Sequence, residues 1–175
     1  MRPRDRAWRP RLPAHHVERI LPYTPDQLFA LVGDVRRYPE FVPWVTSLSA
    51  TEPRPDGEGA DRLDAEASVG FSFLTERFST SVRRDAAARR IDVGLIRGPF
   101  RRLENRWRFE PHPRGARVVF DIDFRFRTAL LDMVLAANFD RAVDKLIGCF
   151  EARAATLYAP VAFSPAAPAA SPATS

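Results

Sequence analysis

Five segments in the middle of the chain alternate apolar and polar residues with a period of two, as half-buried β-strands do. Their apolar positions run from Leu63 to Phe71, Phe78 to Val82, Ile91 to Leu95, Leu103 to Phe109 and Val118 to Phe126. The alternation changes phase near residues 74–76, which predicts a bulge or a turn there. Consecutive strands of this kind favour an antiparallel meander with one solvated and one covered face.

The start of the ordered chain predicts a short strand and two short helices. The strand covers Val17 to Leu21. Thr24 and Gln27 have the spacing of a capping box, in which each side chain bonds the backbone of the other residue at a helix N-terminus. Gly33 is expected to end this helix, and Asp34 is the candidate cap of a second one.

Near the C-terminus, apolar residues recur at helical spacing and form one stripe. The stripe consists of Leu131, Val134, Leu135, Phe139, Val143, Leu146, Ile147, Phe150, Ala154 and Leu157. It predicts one helix of about 27 residues. A helix laid across the antiparallel sheet would cover both apolar surfaces, so the predicted fold class is α+β with two layers.

Composition limits the ordered domain to about residues 15–158. Residues 1–14 form an Arg- and Pro-rich arm, and residues 159–175 an Ala/Pro/Ser tail; both are expected to be disordered. The net charge is +5, of which the first eleven residues carry +4. The domain itself is therefore nearly neutral, which argues against DNA binding, since nucleic-acid binders carry a basic face on the folded part.

The same composition points to a soluble bacterial protein of the cytoplasm. No run approaches the roughly 20 apolar residues of a membrane-spanning helix, and the N-terminus has no apolar signal-peptide core. The single cysteine, Cys149, excludes an internal disulfide and fits a reducing compartment. Arginine almost replaces lysine, with Lys145 as the one exception, which fits a GC-rich genome.

Catalytic signatures are absent from the sequence. His15 and His16 are adjacent and on a strand would face opposite ways, and no His/Cys cluster has metal-ligand spacing. Cys149 has no evident activating base nearby in sequence. Asp121 and Asp123 alternate with arginines and are interpreted as ordinary surface cross-strand pairs. We therefore predict a binding protein and not an enzyme, with no cofactor.

Four blocks of residues resemble one known family. They are Leu31 to Val35 with Tyr38 to Trp44, Gly98 to Phe100 with Leu103 to Phe109, the Val118 to Phe126 strand, and Phe150 to Arg153 with Leu157-Tyr158. Together they resemble the coenzyme Q-binding START-domain family, whose bacterial members are also described as RatA-type ribosome-association toxins. The resemblance implies a helix-grip fold, in which a seven-stranded curved sheet wraps a long helix around a ligand cavity. It also implies a weakly marked strand at Val45 to Thr51.

The cavity expected from this resemblance and from the alternation is apolar, as ligand pockets mostly are. The candidate residues either line this cavity or simply pack against one another; they are Phe71, Leu95, Leu103, Asn105, Trp107, Phe120, Ile122, Phe124, Phe139, Val143 and Ile147. Asn105 is the polar exception and either bonds the backbone or meets a ligand carbonyl. Two stiff loops, with Phe41, Pro43 and Trp44 on one and Phe100 on the other, form either a gate that touches the bilayer or ordinary turns.

Two functions follow from the resemblance. The first is a carrier or chaperone that binds ubiquinone or a similar isoprenoid lipid, touches the inner membrane transiently and supports respiratory electron transfer. The alternative is a ribosome-association inhibitor that binds the large subunit and blocks 70S formation. In that case the Arg-rich arm, with Arg101, Arg102, Arg106 and Arg108, would contact rRNA phosphates, and the binding would weaken steeply with salt.

Overall fold

A curved antiparallel sheet with a helix at the C-terminus dominates the computed structural model, which describes residues 14–71, 74–130, 133 and 138–162. The elements in chain order are β1 (Ala14–Leu21), α1 (Pro25–Gly33), the 3₁₀ helix η1 (Val35–Glu40), β2 (Val45–Ala50), β3 (Arg54–Pro55), β4 (Ala60–Phe71), β5 (Leu74–Asp85), β6 (Arg90–Arg97), β7 (Phe100–His112), β8 (Gly115–Phe126) and α2 (Phe139–Leu157). The predicted α+β class and helix-grip architecture are confirmed.

Seven strands form one continuous antiparallel path in the order β1-β8-β7-β6-β5-β4-β2, and the two-residue β3 pairs with β4. β4 and β5 are separate strands, with Phe71 opposite Leu74, so the phase shift in the sequence falls where one strand gives way to the next. The weakly marked strand is present as β2, which pairs with β4. Sequential pairing from β4 to β8 makes this part of the sheet a meander, as the alternation predicted.

The predicted capping box starts α1. The Gln27 backbone N–H donates to Thr24 Oγ1 at 3.2 Å, and the Thr24 N–H donates to Gln27 Oε1 at 2.9 Å. α1 ends at Gly33, as predicted. The second short helix is the 3₁₀ helix η1, where the hydroxyl of the half-buried Tyr38 donates to the Val32 carbonyl at 2.6 Å. This hydrogen bond ties η1 to the end of α1.

The C-terminal helix is shorter than the apolar stripe predicted. α2 starts at Phe139, and Asn138 is its N-cap with non-helical backbone angles, so one uninterrupted helix from residue 131 to 157 is wrong. The predicted stripe positions Leu131, Val134 and Leu135 lie outside the described residues. The buried face of α2 consists of Phe139, Val143, Ile147, Phe150 and Ala154. This face packs on the inner surface of the sheet and completes the two layers.

The ends of the described chain are tied to the sheet. Ala14 pairs with Asp123 at the start of β1. At the other end the Val161 N–H donates to the Pro22 carbonyl at 2.8 Å, three residues after Tyr158. The rest of the predicted arm and tail lies outside the described residues. Among the described residues, no helix combines the length and apolarity that crossing a membrane requires.

Candidate functional site

The inner surface of the sheet is covered unevenly by α2. At one end, Ile91 and Phe120 are each 1% exposed, and the protein's own side chains fill the space. Further along the same face, Val93, Asn105 and Ile122 keep part of their surface accessible, although they stand on central strands. A partly accessible patch in the middle of a covered face means that α2 leaves space beside it.

The filled end is an aromatic core around Trp107. Its indole lies 4.1 Å from the Phe120 ring and 5.3 Å from the Phe150 ring, centroid to centroid, and is 5% exposed. Val143 and Ile147 of α2 belong to the same buried cluster. These candidate lining residues are therefore brought together, with Trp107 and Phe120 packed against side chains of the protein.

A second apolar cluster lies at the end of the sheet where β7 begins and β8 ends. Phe100, Leu103 and Phe126 are its buried members. The Phe100 ring lies 4.7 Å from that of Phe126, and Phe124 stacks on Phe139 of α2 at 4.2 Å. Leu95, Ile122 and Phe124 are partly buried against this cluster. Ile122 and Phe124 also pack against the Trp107 core, so they form the floor between the two clusters.

Asn105 stands on this floor. It lies opposite Ile122 on β8 and opposite Val93 on β6, so its nearest cross-strand neighbours are apolar. Its Oδ1 is buried and has no hydrogen-bond partner. Of the two roles considered for Asn105, this geometry disfavours the bond to backbone. A buried amide without a partner costs stability, so the group is available to a ligand.

The inner face also contains two residues that were not among the candidate lining residues. Thr80, a polar residue opposite Leu95, is 7% exposed. His15 lies opposite Ile122, and its ring packs 4.1 Å from that of Phe139. Strand alternation could have predicted both positions, because Thr80 and His15 each lie two residues from an apolar residue of the same strand and so share its face. Phe71 ends β4 at its predicted place, and its side chain lies outside the described part.

The loop before β2 lies against the outer side of α2. Phe41, Pro43 and Trp44 line a groove of about 640 Å³ with Lys145, Gly148, Cys149, Ala152, Arg153 and Thr156. Phe41 packs on Phe150 at 5.2 Å, and the Arg153 guanidinium lies 5.5 Å from the Phe41 ring centroid. The groove shares no lining residue with the Phe100 cluster, so the two predicted gate loops belong to different features.

The turn before Phe100 has a local steric reason. Gly98 has φ +151°, and a Cβ placed on it would lie 2.5 Å from Phe78 Cβ. Glycine is thus required where the β6–β7 turn approaches β5, because any side chain would collide with the neighbouring strand. The steric requirement for glycine explains the turn at Gly98 without a role as a gate for a ligand.

On the outer face, one predicted surface pair is confirmed and one is wrong. Asp121 lies opposite Arg106 in register and accepts from Arg108 Nη2 at 3.2 Å. Asp123, in contrast, is 2% exposed and lies 2.7 Å from Arg102 Nε. Burial raises the pKa of its carboxyl above the usual range. Asp123 is a buried carboxyl on β8 beside Arg102 and not a surface pair, because strand alternation alone cannot tell how densely an outer face is covered.

The four arginines expected to contact rRNA are mostly engaged within the protein. Arg106 Nε donates to Asp92 at 2.5 Å, and Arg108 and Arg102 have the carboxylate partners just described. Arg101 makes no ion pair with any described residue, and its Nη2 donates to the Arg127 carbonyl at 3.4 Å. Only Arg101 of the four therefore offers an unpaired charge on the described surface.

The histidines and Cys149 form no catalytic or metal-binding group with other described residues. His15 and His16 do face opposite sides: His15 Nδ1 lies 2.8 Å from Asp140, whereas His16 Nδ1 lies 2.6 Å from Asp121 on the outer face. Within the described ranges, no three His, Cys, Asp or Glu side chains form a cluster able to hold a metal ion. Burial raises the pKa of the Cys149 thiol, the opposite of what a thiolate nucleophile requires.

The architecture and the half-open inner face define a helix-grip domain of the START-like class. The chain belongs to the polyketide cyclase / dehydrase and lipid transport family, whose sequence profile matches residues 21–151. Its fold is shared by a START superfamily protein from Mycobacterium smegmatis, which is 19% identical with a TM-score of 0.67 over 83% of this chain and 97% of that one.

Several relatives are similar enough to compare by name. The ribosome association toxin RatA of Rickettsia prowazekii is 34% identical over 139 residues, which are 78% of this chain and 92% of that protein. The mitochondrial coenzyme Q-binding protein coq10 of Schizosaccharomyces pombe is 35% identical over 127 residues, 71% of this chain and 76% of that protein. An 18 kDa protein of Caulobacter crescentus with a solution structure is 60% identical, with a TM-score of 0.70 over 82% and 97% of the two chains.

Proposed function

We propose that this protein binds an isoprenoid quinone such as ubiquinone between the sheet and α2, and carries or protects it in support of respiratory electron transfer. The observation that supports the proposal most directly is the buried Asn105 Oδ1, which has no partner on a partly accessible apolar floor. The likeness to a protein named for coenzyme Q binding points the same way. The role is one of binding, and it includes no catalytic step and no cofactor.

The floor suits a quinone headgroup with its tail. The terminal amide of Asn105 accepts from a quinol hydroxyl in its present orientation. Rotated by 180°, its NH₂ group donates to a quinone carbonyl. Leu95, Ile122 and Phe124 offer apolar surface to the tail. Since each buried methylene contributes about 0.8 kcal/mol, a few isoprenoid units supply affinity without any charged anchor.

The test is organic extraction of the purified full chain followed by mass spectrometry of the extracted quinone. We expect near-stoichiometric quinone from the wild type. Ile122→Trp fills the floor and should lose the quinone, whereas Ile20→Trp adds the same bulk at a residue that is 41% exposed on β1 and should retain it. A wild-type protein without quinone, or quinone retained by Ile122→Trp, would contradict the proposal.

The second candidate function is association with the large ribosomal subunit. Its support is the likeness to RatA of R. prowazekii and to RatA of Pseudomonas aeruginosa, which is 33% identical over 97% of its length. Gradient sedimentation separates the candidates: a ribosome-directed protein shifts 70S particles toward free subunits, and loses this effect between about 50 and 200 mM salt. Quinone binding in an apolar interior is expected to be insensitive to the same change in salt.

A further inference from the structure

Four arginines crowd the end of the sheet where β7 begins and β8 ends. Arg101, Arg102, Arg125 and Arg127, named here the arginine rim, line a cavity of about 390 Å³ with Phe126 and Ala129. Phe126 is a buried member of the Phe100 cluster, so the rim borders the apolar interior directly.

The carboxylates of the described residues do not balance the charges of the arginine rim. Arg102 lies directly opposite Arg125 in the β7–β8 register, and like charges at such positions repel. Arg102 meets the carboxylates of Glu104 and Asp123 at 3.1 and 2.7 Å. Across the described ranges, Arg101, Arg125 and Arg127 form no ion pair within 4.0 Å. In the described part of the chain, four arginines thus face two carboxylates, and the excess positive charge there favours an anionic partner.

Exposed apolar side chains flank the same end. Leu130 is 65% exposed and Met133 66% exposed, shortly after the rim residues of β8. Ile96 is 53% exposed near the end of β6, the strand beside β7. Three of the five large apolar side chains that are exposed in the described chain therefore lie in segments that adjoin the arginine rim.

We propose that the arginine rim, with Ile96, Leu130 and Met133, docks this protein on anionic phospholipid surfaces. Arginine beside exposed aliphatic side chains is the composition of an interfacial membrane contact, because the guanidinium groups meet phosphates while the aliphatic groups enter the acyl boundary. RNA phosphates would pair with the arginines but would leave the exposed aliphatic side chains in water. These aliphatic side chains therefore favour a lipid surface over RNA as the partner. This docking does not depend on which molecule the interior binds.

The first experiment is flotation of the full chain with vesicles of phosphatidylcholine alone or with 40% phosphatidylglycerol, at low and high salt. Binding should require phosphatidylglycerol and fall with salt. Each arginine near an anionic surface contributes about fivefold to partition, so Arg125→Gln with Arg127→Gln should weaken binding by roughly 10- to 25-fold. Arg89→Gln with Arg114→Gln removes the same charge from turns at the opposite end of the sheet and should weaken it far less.

A second measurement separates the arginine rim from the Arg-rich N-terminal arm, which also attracts anionic vesicles. In a Cys149→Ala background, Leu130→Cys or Ile20→Cys is labelled with an environment-sensitive dye. The dye at position 130 should shift to shorter wavelength on phosphatidylglycerol vesicles, and the dye at position 20 should not. Leu130→Gln with Met133→Gln should reduce vesicle binding and leave binding to polyuridylate unchanged.

Three results would overturn the proposal. They are equal binding to both vesicle types, wild-type binding by the Arg125→Gln, Arg127→Gln variant, and an unshifted dye at position 130. Loss of polyuridylate binding without loss of vesicle binding in that variant would assign the arginine rim to RNA instead. Thermal melting confirms that each variant is folded, and quinone content, measured separately, reports on the interior and not on the docking surface.

Discussion

Replacing Asn105 by leucine should change stability and ligand binding in opposite directions. The side chain stands between Ile122 and Val93 with a buried, unpartnered Oδ1. An unsatisfied buried polar group costs about 1–3 kcal/mol, and Leu removes that cost without adding a new polar group. We therefore expect the free energy of unfolding of the ligand-free protein to rise by about 1–2 kcal/mol, and its Tm by about 2–4 °C for each kcal/mol.

Binding should move the other way in the same variant. A hydrogen bond from the Asn105 amide to a bound quinone is worth about 0.5–1.5 kcal/mol, so its loss weakens Kd by about 2- to 12-fold. The assays are urea unfolding of delipidated protein and titration with a short-chain quinone. The variant thus becomes more stable and binds less well, which a purely structural asparagine would not do.

Tyr38→Phe is the matched control for the sign of the stability change. Its hydroxyl is partnered, donating to Val32 O at 2.6 Å, so removing it should destabilise the protein by about 1 kcal/mol. The reasoning about Asn105 would be refuted if Asn105→Leu lowered stability as Tyr38→Phe does, or if the quinone bound the variant as tightly as the wild type. The first result would mean that the amide already has a partner in the protein; the second, that no ligand meets it.

Three further predictions concern the framework around the site. Gly98→Ala should destabilise the fold by at least about 1–2 kcal/mol in urea unfolding, because the new Cβ meets Phe78; an unchanged midpoint would show that the β6–β7 turn is not constrained. Trp107→Ala should cost about 3–5 kcal/mol, since the indole is 5% exposed; a cost below 1 kcal/mol would place the indole against empty space. The hydrogen bond to Asp121 raises the pKa of His16 in the folded protein. The contribution of His16 to stability is therefore present below pH 6.5 and is lost as the pH rises through its pKa in the folded state. His16→Gln should therefore lose more stability at pH 5.5 than at pH 9, by less than about 1 kcal/mol because the ring is half exposed; an equal loss at both pH values would contradict this.

The local elements and the class of fold could be predicted from the order of residues. Thr24 and Gln27 form the capping box that their spacing predicted, since the bonds join residues three apart and need no tertiary partner. The alternation from Leu63 to Phe126 predicted the strands and their buried faces, because a period of two sends every second side chain to the same side. The resemblance then supplied the helix-grip architecture and the additional strand β2.

Which parts of the inner face are filled depends on how α2 packs on the sheet. Trp107 and Asn105 have the same parity on β7, yet one is packed and the other keeps a buried oxygen without a partner. The different packing of these two side chains depends on where α2 lies across the sheet. The sequence did not predict that α2 starts at Phe139, because the apolar stripe begins earlier, at Leu131. A periodic pattern specifies a face of an element and carries no information on how far the covering layer extends.

The pairing of charges between strands also could not be predicted from the sequence. Arginine and carboxylate alternate along β7 and β8 in a way that suggests uniform surface pairing, but Arg102 meets the buried Asp123 and lies opposite Arg125. These relations join residues about twenty positions apart in sequence and depend on strand register, which the chain acquires only when β7 and β8 pair. The unbalanced arginines therefore became visible only in the folded sheet, because electrostatic balance is a property of distances between strands and not of the order of residues along one strand.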